Sequence, residues 1–173
     1  MKIGFDEIST SSNRYAIVDL AWFPVEELPR LAPVEAEIVL TKKDITKVEL
    51  SGRLQTAVEL VCDRCLVGWP FLVDVSVHLI LHCPPDFGAW QIQNLECSKS
   101  DLDTVMIREP VVDLGDILRQ QLFLSLPHKR LCRSDCRGLC SGCGVDLNQE
   151  ACRCDAKNFN SPFAILAGLN KIQ

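Results

Sequence analysis

The sequence predicts an α+β chain: a mostly antiparallel β-sheet or open barrel with one packed helix and a cysteine-rich C-terminal segment. Three observations carry that expectation. Two long runs alternate apolar and polar residues with a period of two, one shorter stretch repeats with a helical period, and six of the ten cysteines fall within 23 consecutive residues. With 173 residues, 47% hydrophobic and 24% charged, the chain can bury a core of its own, which excludes a disordered acidic chain or a low-complexity linker.

Taken in order, residues 15–22 and 34–40 are short strand candidates, separated by a proline-bearing stretch over 23–33 that cannot form a central strand. From Val48 the apolar side chains take even positions, Val48, Leu50, Leu54, Val58 and Leu60, with Glu49, Ser51, Arg53, Gln55 and Glu59 between them. This is a long half-buried strand, with a bend expected at Gly52. Phe71, Val73, Val75, Val77, Leu79 and Leu81 then occupy odd positions, and Asp74, Ser76, His78 and His82 fall on the opposite face. The two runs make a hairpin.

Residues 83–100 hold Pro84, Pro85 and Gly88 without a sustained period and are expected to be a loop. A short strand is expected over 104–108. Asp113 then offers an N-cap to a helix carrying Leu114, Ile117, Leu118, Gln121 and Leu122 on one face, and Pro127 ends it. A second short helix begins near Pro162, with Phe163, Ile165, Leu166 and Leu169 as its apolar residues. The expected division is a sheet domain over 1–127 and a cysteine-rich tail with a terminal helix over 128–173. No internal repeat is evident.

The net charge is −5, so bulk attraction to nucleic acid or to an anionic membrane is not expected, and any RNA contact must be local or indirect. No window approaches eighteen consecutive apolar residues, and the N-terminal MKIGFDEIST lacks the apolar core of a signal peptide, which predicts a cytoplasmic protein without a membrane partner. In that compartment thiols stay reduced, so ten cysteines point to metal rather than to disulfides.

Cys62-Asp63-Arg64-Cys65 sits where the two long strands must turn, a position that aims two thiolates at one point and forms half of a tetrahedral zinc site. A redox C-x-x-C would instead open a helix, and no helix pattern follows here. The tail supplies Cys132, Cys136, Cys140, Cys143, Cys152 and Cys154. With Cys62 and Cys65 these make eight, enough for two four-cysteine zinc sites. One partition joins Cys62 and Cys65 to Cys132 and Cys136, leaving Cys140, Cys143, Cys152 and Cys154 as a self-contained knuckle. The competing one places Cys132, Cys136, Cys140 and Cys143 around one ion. Iron-sulfur clusters also take four thiolates, but C-x-x-C with C-x-C favours zinc.

Four thiolates leave no position open for water or substrate, so both sites are expected to be structural. Cys83 and Cys97 lack metal spacing and are expected to be packed or free thiols. His78 and His82 share one strand face, read as solvated, and His128 is a second-choice ligand. Lys129, Arg130, Arg133 and Arg137 are the candidate RNA or partner-binding residues. No nucleotide loop, nucleophile elbow or acid/base carboxylate pair is present, so no catalytic residue is assigned and no enzyme is expected.

The C-x-R-C hairpin, the stretch LFLSLPHKRLC, the run GLCSGCGVDLN from Gly138 to Asn148 and the ending SPFAILAGL resemble the YceD family of large ribosomal RNA accumulation proteins. The resemblance spans 48–169. It implies a small bacterial or plastid protein needed for normal levels of large-subunit ribosomal RNA, without an established catalytic activity, of the cysteine-rich kind. The expected function is non-enzymatic support of ribosome assembly through precursor large-subunit RNA or a ribosomal protein. The alternative is a thiol redox or metal-responsive protein using Cys62 and Cys65.

Overall fold

The computed structural model describes residues 1–85 and 103–154. Its elements are β1 (Lys2–Gly4), β2 (Asn13–Ala16), β3 (Glu35–Lys42), β4 (Lys47–Val61), β5 (Gly68–His82), β6 (Thr104–Met106), β7 (Val111–Asp113) and α1 (Leu114–Leu124). Chain contacts divide these residues into two compact units. One holds Met1–Leu60 and Pro70–His128; the other begins with Val61–Trp69 and resumes at Lys129. The tip of the long hairpin therefore groups with the cysteine-rich segment, which a single division at 127/128 does not express.

In the first unit a five-stranded sheet runs in the order β2-β3-β4-β5-β6, and β1 pairs with β7 in a separate two-stranded sheet. The larger sheet ends at β2 and β6, so among the described residues no barrel closes. The alternation read from the sequence is the alternation of burial: Val48, Leu50, Leu54, Val58 and Leu60 on β4 and Val73, Val77 and Leu81 on β5 are all buried. At Gly52, paired with Ile38, the requirement is room. A Cβ there would run into the Glu37 carbonyl oxygen and lie 2.6 Å from Ile38 Cδ1, so only glycine lets β3 approach this closely.

α1 starts where expected. The Asp113 carboxylate accepts hydrogen bonds from the Gly115 and Asp116 N–H groups, and Leu114, Leu118 and Leu122, spaced by four, bury one face. Three details differ from the sequence reading. The strand expected over 15–22 is only Asn13–Ala16, because the Asp19 carboxylate accepts from Ala21 N–H and the Leu20 carbonyl from Phe23 N–H, turning the chain early. The strand expected over 104–108 is Thr104–Met106 and runs parallel to β5. β1 and β7, three residues each, had no period to reveal them. The loop beyond Pro85, Cys97 and the helix expected from Pro162 lie outside the described residues. Among those described, no helix is long and apolar enough to cross a membrane.

Candidate metal centres

The hairpin tip is a tight turn. Cys62 N–H donates to the Val67 carbonyl at 3.0 Å and Leu66 N–H to the Cys62 carbonyl at 2.9 Å, with Leu66 in the left-handed region at φ 61°. Asp63 and Arg64, the two residues between the cysteines, hold the tail. Asp63 N–H donates to the Arg130 carbonyl at 2.7 Å while Arg130 N–H donates back to the Asp63 carboxylate at 2.8 Å. Arg64 donates through Nη1 to the Cys136 carbonyl at 2.7 Å, and its own carbonyl accepts from Leu139 N–H at 3.0 Å.

These clasps bring four sulfurs together. Cys62, Cys65, Cys132 and Cys136 have all their Sγ atoms within 4.8 Å of one another, with Cys62 and Cys136 at 3.8 Å and Cys65 and Cys132 at 3.7 Å. A tetrahedral ion with metal–sulfur bonds of about 2.3 Å separates its sulfurs by about 3.8 Å. The set fits one ion. An iron-sulfur cluster divides its thiolates among several irons and sets sulfurs on different irons farther apart. Cys62, Cys65 and Cys136 are buried, and Trp69, Leu131 and Leu139 pack around them.

The second set is Cys140, Cys143, Cys152 and Cys154, again with every Sγ within 4.8 Å of the others. Cys152 Sγ lies 3.1 Å from Cys140 and 3.7 Å from Cys143. Its first turn repeats the hairpin tip bond for bond. Cys140 N–H donates to the Val145 carbonyl at 2.8 Å, Gly144 N–H donates to the Cys140 carbonyl at 2.9 Å, and Gly144 takes φ 75° where the tip has Leu66. A C-x-x-C turn of one design thus occurs twice, a repeat of backbone geometry hidden by differing side chains. Unlike the first set, this one has exposed members, Cys143 and Cys154.

Backbone amides aimed at the sulfurs tune the thiols. Burial opposes a Cys62 thiolate, but the N–H groups of Cys132, Cys65 and Arg64 outweigh it and bring the thiol down to about 6. The Cys143 N–H, the Cys152 thiol and the Gly142 N–H bring Cys140 down to about 6. Burial and then the neighbouring sulfurs push Cys132 up to about 12, and Cys143 and Cys152 push Cys154 up to about 12. In each set one thiolate is favoured and another opposed, by burial and neighbouring sulfurs at Cys132 and by neighbouring sulfurs at Cys154, and a central cation would favour the thiolate form of both.

Asn148, from the stretch between Cys143 and Cys152, reaches the first set, a role absent from the sequence reading. Its Nδ2 donates to Cys136 Sγ at 3.4 Å and to Asp146 Oδ1 at 2.7 Å, while its Oδ1 accepts from Arg137 N–H at 2.8 Å. Lys129, Arg130, Arg133 and Arg137 are all exposed. Arg133 lies 3.5 Å from Asp135. The other three have no ion-pair partner among the described residues. His78 pairs with Glu49 at 3.1 Å on the sheet's outer face, and neither it, His82, His128 nor Cys83 joins a four-sulfur set.

Fold and sites together define a sheet protein that carries two four-thiol centres able to hold metal ions. The sequence model of the large ribosomal RNA subunit accumulation protein YceD matches residues 50–170, and the chain belongs to that family. Among curated proteins it is similar to large ribosomal RNA subunit accumulation protein YCED homolog 1, chloroplastic, of Arabidopsis thaliana, 23% identical over 85% of this chain and 51% of that protein. The Zea mays protein of the same name is 23% identical over 91% of this chain and 62% of its own length. An uncharacterized protein of Mycobacterium bovis is 29% identical over 51% of this chain and 40% of its own. The chain thus spans between two fifths and two thirds of the length of these relatives. No solved structure matches it.

Proposed function

We propose that this chain is a non-catalytic, cytoplasmic factor that supports accumulation of large-subunit ribosomal RNA during ribosome assembly. Two structural zinc ions hold the segment that docks on precursor RNA. The observation that carries this reading is the family match, which encloses all eight clustered cysteines. Zinc suits the donor set, because all-sulfur tetrahedral sites built on C-x-x-C turns are characteristic of it and four thiolates leave no position for a substrate. The exposed Lys129, Arg130, Arg133 and Arg137 supply phosphate contacts. Burial of Cys62 and Cys65 weighs against the alternative of a redox pair, which needs an accessible thiolate.

A ribosomal protein is the second reading for the partner, and one observation favours it. The described residues of the first unit hold nine Lys and Arg against fifteen Asp and Glu, an acidic surplus suited to a basic protein. The deciding experiment compares wild type with an Arg130→Ala, Arg133→Ala, Arg137→Ala triple variant, both carrying about two zinc ions by elemental analysis. Against precursor RNA the log-log salt slope should flatten by about 0.7 to 0.9 per lost contact. An unchanged slope with ribosomal-protein capture retained would favour the second reading, and zinc-free folded protein would remove the metal.

A further inference from the structure

The two C-x-x-C turns share the two backbone hydrogen bonds that close each turn, yet they differ at the residue after the second cysteine. One has Gly144 at φ 75°, the ordinary choice for a left-handed position. The other has Leu66 at φ 61°, a conformation that a leucine adopts only against steric cost. The cost brings no burial in return. Leu66 is 64% exposed, and Val61 and Val67 beside it are 52% and 46% exposed. A largely exposed side chain kept where the matching turn has none points to a use outside the fold.

The surroundings indicate the kind of partner. Asp63, in the same turn, is bonded through its backbone and carboxylate to the Arg130 backbone, which fixes the exposed Lys129 and Arg130 to this tip. Three cations, Arg64, Lys129 and Arg130, stand against the single carboxylate of Asp63 in the two segments. An apolar tip with a surplus of cations suits unpaired nucleotides, whose bases offer apolar faces while their phosphates are negative, and leucine is among the side chains that wedge between bases.

We propose that Leu66 is an apolar wedge for single-stranded RNA, seated on the hairpin-tip turn with Val61 and Val67 flanking it and Lys129 and Arg130 meeting the adjacent phosphates. The proposal rests on the RNA reading given above and deepens it by naming the contact. Duplex RNA presents no free base face to the tip and should bind less well than the same strand unpaired.

The test sets stability against binding in the zinc-loaded full chain. Leu66→Gly copies the second turn, so its melting temperature should equal or exceed that of wild type with zinc content unchanged, while affinity for a labelled single-stranded fragment of precursor large-subunit RNA falls at least tenfold. Leu66→Met should keep most of the affinity. Equal affinity of wild type and Leu66→Gly would overturn the wedge alone, as would a marked fall in melting temperature, which would make Leu66 a structural residue. Equal affinity for single-stranded and duplex fragments would also overturn it. Wild-type protein that binds no RNA, yet captures a ribosomal protein, would overturn both the wedge and the RNA reading beneath it.

Discussion

A single methyl group should separate two glycines that look interchangeable in GLCSGCGVDLN. Gly138 and Gly144 both take left-handed conformations, at φ 76° and 75°. A Cβ on Gly144 would meet nothing within 4 Å, whereas one on Gly138 would lie 2.9 Å from the Arg64 carbonyl oxygen. Gly144→Ala should therefore cost about 1 kcal/mol for the conformation alone. Gly138→Ala should cost roughly 2–3 kcal/mol, since it also forces apart the clasp that holds Cys136 to the hairpin tip. Thermal melts of both variants check this, and equal losses would mean that the Arg64 carbonyl yields freely. At this scale the cysteines were legible because ligand spacing is written in residue types. Asp63, Arg64 and Asn148 were not, because their partners include backbone carbonyls and amides, which every residue has and no sequence pattern marks.

At the scale of elements, β4 and β5 were readable because fifteen residues sustain a two-residue alternation, and α1 because an N-cap and a spacing of four agree. β1, β2 and β7 were missed or misjudged because three or four residues cannot establish a period. The same alternation that buries one face of β4 and β5 leaves the other to charges. Arg53 donates to both Asp74 oxygens, at 2.7 Å from Nε and 2.6 Å from Nη2, and this pairing holds the Asp74 carboxyl below its ordinary value. A carboxyl lowered in the folded chain contributes stability that is full above its unfolded value of about 3.9 and fades as acid protonates the folded form. Both side chains are about half exposed, so the contribution is small and sensitive to salt. Asp74→Asn should accordingly destabilise slightly at neutral pH and low salt, and denaturant midpoints of variant and wild type should converge as acid protonates the folded carboxyl. A gap that persists in acid would assign the effect to packing instead.

For the whole molecule, the two four-cysteine sets differ in how far the chain must travel to complete them. In the second set the sulfurs at 3.1 Å belong to residues 12 apart in sequence, whereas the first set joins residues 67 and 74 apart. Closing the longer loop costs about 1.5 kcal/mol more in chain entropy. Refolding in zinc should therefore protect Cys140 and Cys152 from alkylation before Cys62 and Cys65, and quenched-flow trapping with mass spectrometry reads the order directly. Simultaneous protection would show that the hairpin and tail meet before either metal binds. During synthesis the asymmetry becomes a matter of time. At about 5 to 20 residues per second, Cys65 leaves the ribosome roughly 3 to 13 seconds before Cys132. Until Cys132 and Cys136 follow, Cys62 and Cys65 supply only two of the four sulfurs of the first set.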